Sequence, residues 1–234
     1  MEPDRGRVLS ALSDWLTEAL GTAPHDLVLY ERALTHGSFG QVTGGDGDYQ
    51  RLEFLGDRVL GLVIARWLYE AHPHDKEGQL SARLNTLVRG ETCATVARAL
   101  KVQPHLKLGK QAWDDGAFES DNVLGDVTEA LIGALLLDHG LEAAEKFIRT
   151  RWTALVNGQS SAPRHPKSAL QEWAAAHNRK TPLYTITDRS GPAHAPRFTV
   201  SVSLGSAGNA EAQGSSKQEA ETAAAAALLE KLER

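Results

Sequence analysis

A chain of 234 residues, 41% hydrophobic and 24% charged, holds apolar material for one large core or two ordinary ones and excludes wholesale disorder. Its single cysteine, Cys93, excludes an internal disulfide framework and a cysteine-rich metal site, and is expected to be a small buried hydrophobe in a reducing compartment. The net charge of −5 lacks the basic footprint usual for nucleic-acid binding, but residues 1–162 carry 16 Lys and Arg against 23 Asp and Glu, whereas residues 163–234 carry 9 against 7. That asymmetry suits a cation-collecting first part joined to an anion-binding second.

The polar start, Met1 to Arg7, and the acids Asp14 and Glu18 in the next apolar stretch do not read as a signal peptide. No run of about 18 apolar residues occurs, so no membrane span and a cytoplasmic location are expected. From residue 8 to about 156 apolar residues recur every three or four positions. Leu9, Leu12, Leu16 and Leu20 mark one helix, residues 52–69 a second and 123–138 a third. The pattern predicts an all-α N-terminal domain over 1–156. Gly158, Gln159, Ser160, Ser161, Ala162, Pro163 and Pro166 then mark a linker over 157–166.

Residues 167–234 predict a small α+β domain of order α-β-β-β-α. Leu170, Trp173 and Ala174 share the face of a first helix over 168–177. Residues 184–187, the alternation Phe198, Val200, Val202, Leu204, and residues 209–213 read as three strands. Ser216 and Glu219 have capping-box spacing before an alanine-rich final helix.

Within the helical part, Arg51-Leu52-Glu53-Phe54-Leu55-Gly56-Asp57 places two acids one helical turn apart on one side. Asp126 and Glu129 repeat the arrangement at a spacing of three. Their helix carries Val123, Leu124, Val127, Leu131, Ile132, Leu135, Leu136 and Leu137, which leaves almost no polar face and predicts a central, mostly buried element. Carboxylates there cost several kcal/mol each unless they take up protons or share a cation. No Lys or Arg lies between Ser120 and Lys146, so the remaining choices are a bound cation or a basic side chain from elsewhere in the fold. An all-oxygen donor set favours Mg²⁺ or Mn²⁺ over zinc or copper, and metal-assisted phosphodiester hydrolysis is the reaction class that fits.

The Arg51 to Asp57 segment resembles the signature of ribonuclease III. Further landmarks of that family follow the same order: Leu34-Thr35-His36-Gly37-Ser38, Gly78-Gln79-Leu80-Ser81, Leu106-Lys107-Leu108-Gly109 and the segment from Asp126 to Leu131. The resemblance implies a homodimeric, magnesium-dependent endonuclease for double-stranded RNA, leaving 5′-phosphate and 3′-hydroxyl ends with short 3′ overhangs. It implies a metal site of Glu53, Asp57, Asp126 and Glu129, with Asp57 and Glu129 closest to the chemistry, and a dimer contact at Phe54. Gln50 stands where many relatives have a glutamate, and Glu77 matches an acidic position lining the family's cleft. His36 and Ser38 are read as structural hydrogen-bonding residues near a helix end. Ribosomal RNA precursors and structured messenger RNAs are the substrates the resemblance suggests.

The last part resembles the double-stranded-RNA-binding domain at three places: Gln171 and Glu172 on the first helix, the Gly191-Pro192-Ala193-His194 loop, and Gly214-Ser215-Ser216-Lys217 before the last helix. Amides at that helix start favour phosphate oxygens, Lys217 adds charge, and the loop reaches a minor groove displaying 2′-hydroxyls. Gln218, Glu219 and Glu221 follow Lys217 where relatives commonly carry more basic residues, which predicts a modest salt dependence. Two other readings compete: a non-catalytic RNA-binding or ribosome-assembly protein, and a metal phosphohydrolase of small esters. Retention of all four carboxylates speaks for the nuclease, and the second domain speaks against the small-ester enzyme.

Overall fold

The computed structural model describes residues 5–39, 47–159, 165–192 and 196–233. The chain divides into two compact units, Met1–Ala162 and Pro163–Arg234. The first is helical: α1 (Arg5–Leu20), α2 (Leu27–Ala33), α3 (Gln50–Ala71), α4 (Glu77–Val88), α5 (Gly90–Ala99), α6 (Lys110–Asp114) and α7 (Asp121–Asn157). The second contains α8 (Pro166–Ala176), β1 (Leu183–Ser190), β2 (Arg197–Ser203), β3 (Asn209–Gly214) and α9 (Lys217–Leu232).

The core of the first unit forms around the first half of α7, where Leu124, Val127, Ala130, Leu131, Ile132, Ala134 and Leu135 are all fully buried. Each large aliphatic side chain removed from water there contributes about 2 kcal/mol. The helix does not stop near Asp138. It turns at Gly140, whose φ of 82° is a left-handed value that favours glycine, and runs on to Asn157. In that second half Trp152 is fully buried and donates its indole N–H to the Leu87 carbonyl at 2.8 Å.

Two glycines set the distance between α3 and α7. A Cβ on Gly56 would sit 1.7 Å from the Glu129 carbonyl oxygen, and one on Gly133 would sit 2.2 Å from that of Leu52. Only glycine at both positions allows this approach, which turns the Glu53 side of α3 toward the Asp126 side of α7. Lining the same crossing, Leu60 and Ile64 of α3 are fully buried with Leu131 and Leu135 of α7.

In the second unit the strands form an antiparallel sheet of order β1-β2-β3, with Val200 opposite Ala212 and Val202 opposite Ala210. Val202, Leu204 and Ala210 pack with Leu170 and Ala174 of α8 and with Ala224, Ala225 and Leu228 of α9. Small alanines let α9 lie close to the sheet, and Gly214 completes the approach: a Cβ there would meet the Ala220 nitrogen at 2.5 Å. The Ser216 hydroxyl caps α9 by accepting from the Glu219 N–H at 3.2 Å. The Glu219 carboxylate, however, accepts from the Ser215 N–H at 2.8 Å rather than from that of Ser216, one residue beyond a standard capping box.

Candidate active site

The Leu34–Ser38 and Leu106–Gly109 segments form a seam beside the N-terminus of α3. His36 donates its backbone N–H to the Lys107 carbonyl, and the Gly109 N–H donates to Ser38 Oγ, both at 3.0 Å. His36 Nδ1 lies 2.7 Å from the same hydroxyl. The seam also fixes Tyr49, whose N–H donates to the Thr35 carbonyl and whose ring meets that of His36 at 5.7 Å. Tyr49, only 4% exposed, then donates its hydroxyl to Asp126 Oδ2 at 3.1 Å.

Glu53, Asp126 and Glu129 share one electrostatic environment. Burial pushes the Glu53 carboxyl above its ordinary value, with the charges of Asp126 and Asp48 adding to the shift. Asp126 is also raised by burial, although the Tyr49 hydroxyl and His36 oppose the rise. Glu129 is pushed up to about 7 by burial and then by Glu53 and Asp126, against smaller opposing effects of the Cys93 thiol and Arg58. Among the described residues, none of these three acids is ion-paired to a lysine or arginine.

Asp57 behaves differently, being ion-paired to Arg58, whose guanidinium also lies 5.3 Å from the Phe54 ring centroid. The sequence predicted four acids converging on one point. Among the described residues, however, the one group of three or more His, Cys, Asp or Glu with ligand atoms all within 4.8 Å of one another is His25, Asp138 and His139. The fold aims Glu53, Asp126 and Glu129 at one another without closing them. Asp57 pairs instead with the cation next to it in sequence. The Arg58 side chain is 67% exposed, so this pair is a weak one that solvent readily replaces. Three half-buried oxygen-donor side chains, none ion-paired to a basic residue among the described residues, fit a hard divalent cation.

Of the remaining expected positions, Gln50 is exposed at the start of α3 and donates its backbone N–H to Asp48. Glu77 is exposed at the start of α4 and accepts from the Ser81 hydroxyl at 3.0 Å. Phe54 is 66% exposed. In the second unit Gln171 and Lys217 line one groove with His165, Lys167 and Glu221, whereas Glu172 lines a different one beside Trp173. Ser216 is exposed at the cap of α9, and His194 lies outside the described residues.

The Ribonuclease-III-like family profile matches residues 26–155, and the double-stranded RNA binding motif matches residues 166–232. The chain belongs to the ribonuclease III family. It is 60% identical over 220 residues to Ribonuclease 3 of Zymomonas mobilis, spanning 94% of this chain and 87% of that one. It is 48% identical over 226 residues to Ribonuclease 3 of Rhodobacter capsulatus, spanning 97% and 96% of the two chains. The nuclease domain of ribonuclease III from Campylobacter jejuni superposes with a TM-score of 0.55 at 32% identity, covering 60% of this chain and 98% of that one. A helical nuclease domain followed by a double-stranded-RNA-binding domain makes this ribonuclease III family chain an endoribonuclease of double-stranded RNA, and a non-catalytic role is not favoured.

Sequence reasoning missed three residues around the acids. Tyr49 orients Asp126, Asp48 is an 8%-exposed acid acting on Glu53, and Cys93 lies 3.8 Å from Glu129 Oε1. Cys93 is buried as expected, but its thiol sits against an acid as well as apolar neighbours, and its own ionisation is pushed far up by burial and Glu129. Asp48 and Tyr49 carried one usable signal, their position immediately before the Arg51 to Asp57 signature.

Proposed function

We propose that Glu53, Asp57, Asp126 and Glu129 hold a divalent cation, Mg²⁺ with Mn²⁺ as a substitute, and that Asp57 and Glu129 act closest to the scissile phosphodiester. The observation that carries this reading is the glycine-set crossing of α3 and α7, which gathers three half-buried acids that have no ion-pair partner among the described residues. A bound Mg²⁺ would supply the positive charge that lowers the pKa of water and offsets charge building on the phosphate and its leaving oxygen. Tyr49 orients Asp126 through its hydroxyl, and Asp57 joins the set on releasing solvent-exposed Arg58. Gln50 and Glu77 would line the outer cleft.

The reading extends to a homodimer with two active sites. Its support is a stripe of exposed apolar residues along α3, Phe54, Leu62 and Tyr69, at 66%, 59% and 73% exposure. Their spacing keeps them within one side of the helix, where a second copy would cover them. In the second unit Gln171, Ser216 and Lys217 would contact the duplex backbone, with Glu172 and His194 reaching the adjoining grooves. The products would be 5′-phosphate and 3′-hydroxyl ends with short 3′ overhangs. Ribosomal RNA precursors and structured messenger RNAs in the cytoplasm are the proposed substrates.

A long RNA duplex incubated with Mg²⁺ and either the parent protein or Glu129→Gln tests the site. The parent should cut and the variant should bind but cut at least about a thousandfold more slowly, since several kcal/mol of transition-state stabilisation is lost. Cleavage by the variant at the parent rate would remove Glu129 from the site.

A further inference from the structure

A second cluster of ligand-type side chains lies where the α1–α2 connection meets the kink of α7. His25 Nδ1 is 3.9 Å from Asp138 Oδ1, and His139 Nε2 is 3.0 Å from Asp138 Oδ2. One ligand atom from each of the three lies within 4.8 Å of the other two, and the imidazole centroids are 4.1 Å apart. Asp138 is held firmly in place. Its Oδ2 accepts from the His25 N–H at 2.9 Å and the Tyr30 hydroxyl at 3.0 Å, and its Oδ1 accepts from the Asp26 N–H at 3.0 Å. Those bonds account for a carboxylate only 3% exposed, but they do not require two imidazoles beside it.

We propose that His25, Asp138 and His139 form a site for a borderline-soft divalent ion, Zn²⁺ being the type case, separate from the acids on the α3–α7 crossing. Zinc bonds to imidazole and carboxylate are about 2.0–2.2 Å long, so adjacent ligand atoms of a tetrahedral site stand roughly 3.3–3.5 Å apart. The ligand atoms, within 4.8 Å of one another, stand slightly wider than that, with His25 Nδ1 3.9 Å from Asp138 Oδ1, and side-chain rotations that bring His139 Nε2 from Oδ2 toward Oδ1 close the site. Asp138 Oδ1, with one donor, keeps a lone pair for the ion. His139 Nε2, now 3.0 Å from both the Ala23 carbonyl and Asp138 Oδ2, and His25 Nδ1, 3.4 Å from the Asp138 carbonyl, give up those contacts, and each ring carries its proton on the other nitrogen, so both imidazoles stay neutral. The exposed His25 side chain opens the cluster to solvent, and His139 also borders a cavity of about 300 Å³ with Gly21, Thr22, Glu142 and Lys146.

Two imidazoles select zinc, copper or nickel, whereas the all-oxygen acids select magnesium, so ligand chemistry sorts the ions between the two places. Because the ligands come from the α1–α2 connection and from α7, bound ion would clip these segments together. The folded state alone presents this arrangement, so Zn²⁺ at about a hundred times its Kd should raise the Tm by roughly 5–10 °C.

The test is calorimetric titration of the full-length protein with Zn²⁺ in excess Mg²⁺, alongside His25→Ala, His139→Ala and Glu53→Gln. His25→Ala is the deciding variant, because its side chain is 73% exposed and its removal disturbs no core. The parent and Glu53→Gln should bind one Zn²⁺ per chain with the Tm rise, and both histidine variants should weaken binding at least tenfold. Co²⁺ in place of Zn²⁺ should give a visible absorption band that His25→Ala lacks. Cleavage of duplex RNA by His25→Ala in Mg²⁺ should match the parent. The proposal is overturned if the parent binds no Zn²⁺, if His25→Ala binds as the parent does, or if Glu53→Gln is the variant that loses binding.

Discussion

On the α3–α7 crossing, Glu53, Asp126 and Glu129 act on one another with no ion-paired cation among the described residues, and Glu129 holds its proton up to about pH 7. On the α8–α9 face, Lys167 and Lys217 both turn to Glu221, at 2.6 and 3.7 Å, so two of the charges available to phosphate are already partly neutralised. The first unit leaves like charges unresolved at the proposed cation site, at a cost to stability. The second pairs part of its positive charge internally. The lesson is that the composition of each unit, acidic and mildly basic, does not measure how much charge each presents to a ligand.

The contrast breaks most severely if the helix crossing is opened. Gly56→Ala puts a methyl 1.7 Å from the Glu129 carbonyl and should destabilise the protein by about 3 kcal/mol or more, lowering the Tm by roughly 6–12 °C with loss of cleavage. A melting curve close to the parent's would show that the crossing does not set the site. Removing residues 163–234 should weaken affinity for a long duplex by about a hundredfold, measured by gel shift, while residual cutting persists at low salt. Unaltered affinity would mean the second unit is not the RNA anchor.

A smaller effect sharpens the acidic side of the comparison. Folded Glu129 holds its proton to about 7 against an ordinary 4.5, so its contribution to metal-free stability is fully favourable below 4.5 and is lost as pH rises to 7. Glu129→Gln escapes that loss, and above pH 7 its Tm should exceed the parent's by about 2–4 °C, a value reduced for partial solvent exposure. Mg²⁺ should narrow the gap. On the basic side, Glu221→Gln frees Lys167 and Lys217 and should tighten duplex binding about two- to fivefold. It should also steepen the slope of log affinity against log salt by about one, which a salt titration reads directly.

Much of the fold was written locally. The periodicity of α1, α3 and α7, the alternation of β2 and the serine cap of α9 are each set by neighbours a few positions away, and the elements fall where those patterns put them. The sequence does not mark the short helices α2, α4 and α5, because their few apolar positions acquire a face only against α3 and α7, nor α6, whose Trp113 finds its partner in Phe118. The continuation of α7 past Gly140 was equally hidden, since a glycine reads as a stop until packing shows the chain resuming its helix on the other side.

The chain's order of residues by itself determined that two helices carry acid pairs at one-turn spacing and that a small α+β unit follows, because both depend on repeats of two or three to four positions. Only the tertiary structure decided that Glu53, Asp126 and Glu129 share one field while Asp57 turns to Arg58, and that Asp48, Tyr49 and Cys93 stand beside them. It likewise joined His25 to His139, 114 positions apart in the numbering. Such meetings follow from how closely two helices approach and which way a loop returns, quantities that glycine contacts and buried carboxylates fix in space and that no local pattern encodes.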